Sequence, residues 1–589
     1  MYNPLFRRRG EQKVHARIVV SIVAFLPKAL GRIARFRIRP SVNRENFMQA
    51  LRRRRQNTWV VGVALSAVAA LAQAGSVSAI SPPSSVAKSA PRVLQVGTYR
   101  GHKGAYSTIQ SAVNGARPGD WILIAPGDYH EQGTPQAGVF VTTPSIHLRG
   151  MDRNSVVVDG TKPGASRCSA DPDAQEFGAS GGGRNGIEIF QVDGVSVENL
   201  TACNFHGDAN GNQGNQIWWN GGDGSGQIGM GSYHGAYLTA SSTFYQAGRP
   251  TLAQYGIFVS NARGPGVIDH AYASNMSDSA FYIGACADCN AVLRNVHAQN
   301  SAQGYSGSNS GGHLVLENSE WDHNQAGIVP SSLAGADPPS PQDGACPNQP
   351  GKSCTLIQYN YVHDNNNPNT PAAGLAATVP VGTGIDLTGG HNNTVQFNLV
   401  SDNASWGILL NDYADSTPSD GSAGYCRGGT ADFNTPSPFD QLYGPLIPCF
   451  FSSFGNHIEG NLFLGNGSFG NATNGDLGNA ALAYPINNCF DDNVDLANGS
   501  PSSSPANLQK PSVAGVCGEP WKPNTAQEFL LIEQLGCASL GPASGACAGL
   551  PPPLYPLQTQ VQLLPIPREP SMSNPCAGVP ASSWCEQGP

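Results

Sequence analysis

A chain of 589 residues is longer than one ordinary globular domain, and 71 Gly, 45 Pro and only 13% charged residues are the composition of a turn-dense β protein. Its net charge of −8 hides an asymmetry: residues 1–79 hold 15 Lys and Arg against Glu11 and Glu45, a net of +13, which leaves −21 on residues 80–589. So acidic a body excludes nucleic acid as a partner, because phosphate binding needs a basic face.

The basic start has the order of a targeting segment. Arg52 to Arg55 precede an uncharged apolar run of 14 residues, Trp59 to Ala72, and small-residue cleavage sites follow at Ala72-Gln-Ala74 and Val77-Ser-Ala79. That run is short for a membrane span. A signal peptide beginning at Met48 is expected, with an uncleaved anchor as the alternative and the only route to a membrane. Export would make the protein secreted or displayed at the cell surface. All 14 Cys lie between Cys168 and Cys585, as expected for disulfides in an oxidising compartment. Cys346/Cys354, Cys426/Cys449, Cys537/Cys547 and Cys576/Cys585 are close pairs able to staple loops. Cys286-Ala-Asp-Cys289 reads as a local disulfide or two stacked positions, since no second pair stands at zinc-finger distance.

Residues 80–104 read as a Ser/Pro-containing linker. In the next segment Ser107 can cap a short helix whose Ile109, Ala112 and Val113 share one face, and Pro118-Gly119 ends it. Trp121 to Ile124 then form a strand closed by Pro126-Gly127. The order Thr108-Ile-Gln-Ser-Ala-Val113, Pro118-Gly-Asp120, apolar strand, Pro126-Gly-Asp-Tyr-His-Glu131 resembles the entry segment of the pectin-lyase-like superfamily of right-handed β-helix proteins. That helix would cover the first coil, which otherwise exposes an open β edge, and the resemblance implies the right-handed β-helix fold. It leaves activity open, because the superfamily holds lyases, glycosidases, esterases, epimerases and non-catalytic surface proteins.

The residues that follow repeat. Asn, four residues and a second Asn occur at Asn199/Asn204, Asn295/Asn300, Asn360/Asn365, Asn398/Asn403 and Asn461/Asn466; one unit keeps only Asn275, and Asn318/Asn324 is one residue longer. Gly before an apolar run recurs at Gly186, Gly256, Gly327 and Gly384. Successive steps are 25 residues from Asn275 to Asn300, 24 from Asn300 to Asn324 and 23 from Ile385 to Ile408. Such a period means a solenoid. Segments such as Thr394-Val-Gln-Phe-Asn-Leu-Val400 alternate apolar with polar, so the units are strands. Three short strands and three turns fit one coil, which predicts an all-β, right-handed parallel β-helix over residues 105–495 with stacked turn Asn. Residues 205–255, 330–354, 366–384 and 413–455 read as long loops inserted at two of the three turns, where they would wall a groove. Residues 496–589 lose the repeat and read as a Pro/Cys-rich cap or tail.

The superfamily's catalytic motifs do not transfer. Gly429-Thr-Ala-Asp-Phe433 matches the methylesterase strand motif only loosely, Asp491-Asp492 lacks its polygalacturonase partners, and Val267-Ile-Asp-His270 lacks the Trp and the Arg motif of pectate lyases. The repeat alignment offers other candidates. The residue before the second Asn is Cys203, Ser274, Gln299, His323, Asp364, Asp402 and Gly465 in successive units, so Asp364 and Asp402 are expected about 5 Å apart with His323 one coil further. Stacked carboxylates need a shared proton, solvent or a cation such as Ca²⁺, and that spacing suits a retaining glycosidase. Trp218, Trp219, Tyr233 and His234, in a polar Gly-rich stretch, are expected to form a sugar platform. The expected activity is binding and cleavage of an extracellular polysaccharide by a monomer, of hydrolase or lyase type. The alternative is a non-catalytic surface or matrix protein.

Overall fold

The computed structural model describes residues 90–586 except 226, 250–252, 287, 333–354, 416–448, 452, 482–487, 511–516, 518–524, 542–544 and 552–554. The basic N-terminus and its expected signal segment lie outside the described residues, as does most of the 413–455 loop.

The chain winds as a parallel β-helix, and one coil shows the plan: Gly266–Asp269, a corner, Tyr272–Ser274, a turn, then Ser279–Gly284. The long strands stack as an 11-stranded sheet. The two shorter strands of each coil stack as a 21-stranded sheet bent around the corner. We call the outer surfaces of these three strand types the leading, trailing and long-strand faces. Alternation sends Trp321, Val362, Val400 and Phe463 of the trailing strands inward, where they meet Ile328, Ile385, Ile408 and Leu477 of the long strands in one continuous core.

The corners explain the recurring Asn. Strand register carries Asp269, Arg294, Glu317, Gln358, Gln396, Glu459 and Asp491 coil to coil. The residues that follow, His270, Asn295, Asn318, Tyr359, Phe397, Gly460 and Asp492, all have φ between 49° and 62°. The second corner behaves alike: Asn275, Asn300, His323, Asp364, Asp402 and Gly465 have φ between 50° and 70°. One left-handed residue per corner is what so tight a bend requires, and Asn and Gly tolerate it best.

The stacked Asn lie one residue later. Three ladders run Asn324–Asn365–Asn403–Asn466, Asn360–Asn398–Asn461–Asn493 and Asn393–Asn456–Asn488, with Nδ2-to-Oδ1 distances of 2.9–3.2 Å. Each Oδ1 that accepts a ladder amide also accepts the backbone N–H of the coil before it, as Asn403 does from Asn365 at 3.2 Å. Asn199, Asn204, Asn295 and Asn318 were expected in this role and instead hold left-handed corners; Asn275 and Asn300 also sit at such corners, yet stack as expected, with Asn300 Nδ2 donating to Asn275 Oδ1 at 2.7 Å. Ser301, after Asn300, and Ser319, after Asn318 in the next coil, take up the ladder position with Oγ accepting from Met276 and Val296 N–H at 3.1 Å. Gly starts the long strands because a Cβ on Gly327 or Gly384 would come within 2.4–2.5 Å of the next coil's carbonyl and 2.8–3.0 Å of a ladder amide.

Two expected boundaries move. Val93–Val96 lies in the segment read as linker, yet it pairs in register with Trp121–Ile124, since Leu94 and Val96 alternate into the core. Residues 205–255 contain a whole further coil: Ile217–Asn220 joins the long-strand sheet and Tyr233–Ser241 spans both short-strand positions. That coil was hidden because its corner residue is Tyr237, not Asn.

Helix α1, Ile109–Gly115, covers the first coil with Ile109, Ala112 and Val113 buried. Thr108, not Ser107, is its cap, and Glu131 accepts the N–H groups of Ile109 and Gln110 at 2.6 and 2.9 Å. Helix α2, Thr525–Leu540, closes the other end through Leu531 against Trp406 and Leu409. Disulfides Cys286–Cys289, Cys537–Cys547 and Cys576–Cys585 form as their spacing suggested, with Cys168–Cys203 and Cys489–Cys517 besides. The pairs Cys346/Cys354 and Cys426/Cys449 involve residues outside those described.

Ladder and corner Asn should respond differently to mutation. Asn398→Ala removes a buried amide and orphans its partners on both sides, so a loss of about 2–4 kcal/mol is expected in denaturant unfolding. Asn318→Gly, at a left-handed corner, is expected within about 0.5 kcal/mol of the parent. Equal losses at the two positions would contradict this division of roles.

Candidate functional site

The trailing face carries a cluster of ionisable groups on neighbouring coils. Because alternate residues of a strand point outward, register builds two rows across neighbouring coils: Tyr272, His297, Glu320 and Tyr361, and beside them Ser274, Gln299, Asp322, His363 and Ser401. The corner residues His323 and Asp364 border the second row. Asp322 is buried at the centre. Its Oδ1 lies 2.6 Å from His297 Nε2, its Oδ2 accepts from Gln299 Nε2 at 2.7 Å, and the same Oδ2 receives His323 Nδ1. His363 donates from Nδ1 to Asp364 at 3.0 Å and faces Glu320 through Nε2 at 3.4 Å, while its ring stacks on Tyr361 at 3.8 Å.

Charge follows from these bonds. Burial opposes ionisation of Asp322, yet the bonds from His297, His323 and Gln299 outweigh it and hold the carboxyl well below the usual range. The bond from Asp322 raises the His323 pKa in turn. Burial disfavours the charged form of His363, but Asp364 and Glu320 reverse the effect and push it up to about 9. His323 is thus anchored through Nδ1 to a fixed carboxylate, with its side chain 60% exposed. That is the arrangement of an imidazole able to give or take a proton at a bound ligand.

Of the residues the repeat points to, His323, Asp364 and Asp402 do stack in one corner column. The column continues through Asn300 and Asn275, however, not Gln299 and Ser274, because the register shifts by one residue at His323. Asp364 turns to His363, whereas Asp402 leans over Gly465 of the next coil, so the two carboxylates serve different neighbours. His297, Glu320, Asp322 and His363 are not among the expected residues. Their only signal is the alternation His297-Ala-Gln299, Glu320-Trp-Asp322 and Tyr361-Val-His363, polar residues two apart around an inward one.

The expected sugar platform is dispersed. Trp219 is fully buried and Tyr233 is 3% exposed, since both belong to the hidden coil and fill its core; neither is available to a ligand. Trp218 faces outward on the long-strand face, stacked on Phe258 at 5.0 Å, with Nε1 donating to Ser260 Oγ at 3.0 Å; Phe258 stacks in turn on Tyr255 at 4.3 Å. His234 lies on the leading face, 3.3 Å from Glu198, which also pairs with Arg149 at 2.7 Å. These residues and His323 therefore do not converge on one site.

Donor atoms of His297, Glu320 and Asp322 lie within 4.8 Å of one another. Calcium takes six to eight oxygens. Here one donor is imidazole nitrogen and the Asp322 oxygens already accept three bonds, so this set does not fit Ca²⁺, which was expected instead at Asp364 and Asp402. Among the described residues no helix is long and apolar enough to cross a membrane.

The raised pKa of His363 makes stability pH-dependent. Its folded value lies above the unfolded value of about 6.5, so its contribution is complete below about pH 6.5 and is lost as pH rises through about 9. Asp322 works oppositely, contributing above about pH 4 and losing that contribution as pH falls through its depressed folded pKa. The melting temperature is expected to decline between about pH 6.5 and 9, and His363→Gln to remove most of that decline. A flat wild-type profile across the window would contradict this.

A family model described as a right handed beta helix region matches residues 234–423. No curated protein matches the chain. Solved structures with similarity include the A-module of mannuronan C-5 epimerase AlgE4 from Azotobacter vinelandii, at 12% identity and TM-score 0.38 over 66% of this chain and 91% of that one. Pectin methylesterase PemA from Erwinia chrysanthemi follows at 14% identity and TM-score 0.27 over 56% and 84%. A mannuronic acid specific polysaccharide family 6 lyase from human gut microbiota stands at 13% and 0.33 over 63% and 75%. By its own strand pairing and by the family model, this chain carries a right-handed β-helix region and is a right-handed parallel β-helix protein, the fold implied by the resemblance to the pectin-lyase-like superfamily.

Proposed function

We propose that the protein is exported and that it binds and cleaves an extracellular polysaccharide at the trailing-face cluster of His297, Glu320, Asp322, His323, His363 and Asp364. The Asp322–His323 pair carries this reading: a buried carboxylate, held ionised by its hydrogen bonds, orients an exposed imidazole beside a row of polar groups. In hydrolysis His323 would hand a proton to the glycosidic oxygen as its bond to C1 breaks and water adds to C1, releasing a proton to solvent; in elimination it would take the C5 proton beside a uronate carboxylate as the C4–O bond breaks and the leaving oxygen takes a proton from solvent. The acidic body and the scarcity of Lys and Arg in its coils favour hydrolysis of a weakly charged chain. Asp402 borders the open side of the cluster, toward the C-terminal coils. The protein acts as a monomer, in contact with a membrane only if its N-terminal segment is retained.

A second reading, non-catalytic glycan binding at a cell surface or in a matrix, is favoured by the Trp218–Phe258–Tyr255 stack, whose faces suit sugar rings.

Purified protein assayed on uronate and neutral polysaccharides, following unsaturated product and new reducing ends, separates the two. Turnover that falls about 10²–10³-fold in kcat/KM in His323→Ala supports cleavage. Absence of turnover on every substrate, with Trp218→Ala weakening glycan binding about five- to ten-fold and His323→Ala leaving it unchanged, would leave the second reading.

A further inference from the structure

The chain after α2 returns along the whole helix as an extended strap. Tyr555 packs against Trp406 and Phe469 at one end of the solenoid. At the other end Trp584 packs on Tyr99 and donates from Nε1 to the His102 carbonyl at 2.9 Å, within the loop closed by Cys576–Cys585. Between these anchors Asn side chains of the coils hold the strap mainly by its backbone, with the Thr559 and Ser571 hydroxyls joining in. Asn369 Oδ1 accepts from Thr559 and Gln560 N–H at 2.9 and 3.1 Å. Asn300 donates to the Gln562 carbonyl at 2.7 Å. Asn275 and Asn154 each pair with one residue in both directions, Leu564 at 2.8 and 3.0 Å and Glu569 at 2.9 and 2.9 Å.

The path between Leu564 and Met572 matters for the cluster. Asn275 stands at the corner after the trailing strand, whereas Asn199, which accepts from Ser571 Oγ and Met572 N–H at 2.8 and 2.9 Å, stands at the corner before it. Arg153 joins the Pro570 carbonyl to that of His270, another corner residue of the same column, at 3.1 and 3.0 Å. The strap therefore crosses the trailing face from one edge to the other. Exposure records the crossing: Thr201, Thr239 and Tyr272 on that face are 4%, 1% and 2% exposed, and one coil further the His297 side chain is 30% exposed. Successive coils are about 4.8 Å apart, so the strap stands roughly one strand spacing from the first histidine of the cluster.

We propose that residues 564–572 close one end of the groove containing the cluster, so that the protein takes a polysaccharide by a chain end and cleaves it exo-fashion. A glycan lying along the solenoid axis over His363, Asp322 and His297 meets the strap and cannot continue, which leaves room for a terminus but not for the middle of a chain. This inference rests on the cleavage reading above.

The test compares viscosity with reducing ends, or with unsaturated ends for elimination, during digestion of a long polysaccharide by the full chain. New ends are expected to accumulate while viscosity stays nearly constant. In Asn154→Ala/Asn275→Gly, which removes both two-way strap contacts and keeps a residue suited to the left-handed corner at 275, viscosity is expected to fall several-fold faster per new end. Rapid viscosity loss by the wild type overturns the strap's role and leaves the cleavage reading standing. No new ends with any polysaccharide overturns both. Should the double variant fail to fold, the wild-type profile decides alone.

Discussion

Parallel pairing of each coil with the next is the constraint on which the rest of this structure depends. Strand register over successive coils forces equivalent residues into columns, so whatever one coil requires, its neighbours require too. A corner that needs φ near +50° imposes it even on Tyr359 and Phe397, which adopt it poorly on their own. A turn that leaves a backbone N–H uncovered receives an Asn from the next coil, whose amide covers both that N–H and the previous amide. Where a Cβ would strike the neighbouring carbonyl, the chain carries Gly.

The same columns make the trailing-face cluster an electrostatic problem that had to be solved locally. Carboxylates stacked about 5 Å apart repel, and here they are interleaved with imidazoles: Asp322 between Gln299 and His363 in one row, Glu320 between His297 and Tyr361 in the other. Burial of Asp322 would be costly for a lone charge, and three hydrogen bonds offset that cost. The outcome is an anion that stays ionised and an exposed imidazole fixed by it. The strap bounds this arrangement on one side mainly through its backbone groups, with the Thr559 and Ser571 hydroxyls joining in.

Much of the fold was legible in the chain. The 23- to 25-residue period, the alternation inside each unit and the Gly-Ile starts all reflect the coil geometry directly. Individual Asn residues were harder to read, because Asn suits two adjacent positions for different reasons: the corner, where it tolerates a left-handed backbone, and the ladder, where its amide bridges coils. Asn318 and Asn324, one residue further apart than in other units, were in fact a corner and a ladder position. The coil around Trp219 escaped notice because Tyr237 fills its corner, so two core aromatics passed for a surface platform.

The sequence by itself determined that this chain stacks as a β-helix, since periodicity and turn chemistry are local properties repeated coil after coil. It also pointed to His323 and Asp364 as neighbours across coils. Only the tertiary structure decided which groups face them. His297 and Asp322 lie 25 residues apart along the chain and Asp322 and His363 lie 41 apart, on three strands whose relative register a single inserted residue changes. The crossing of the strap was likewise undecidable from sequence, because its contacts join residues up to several hundred positions apart through backbone groups that every residue shares.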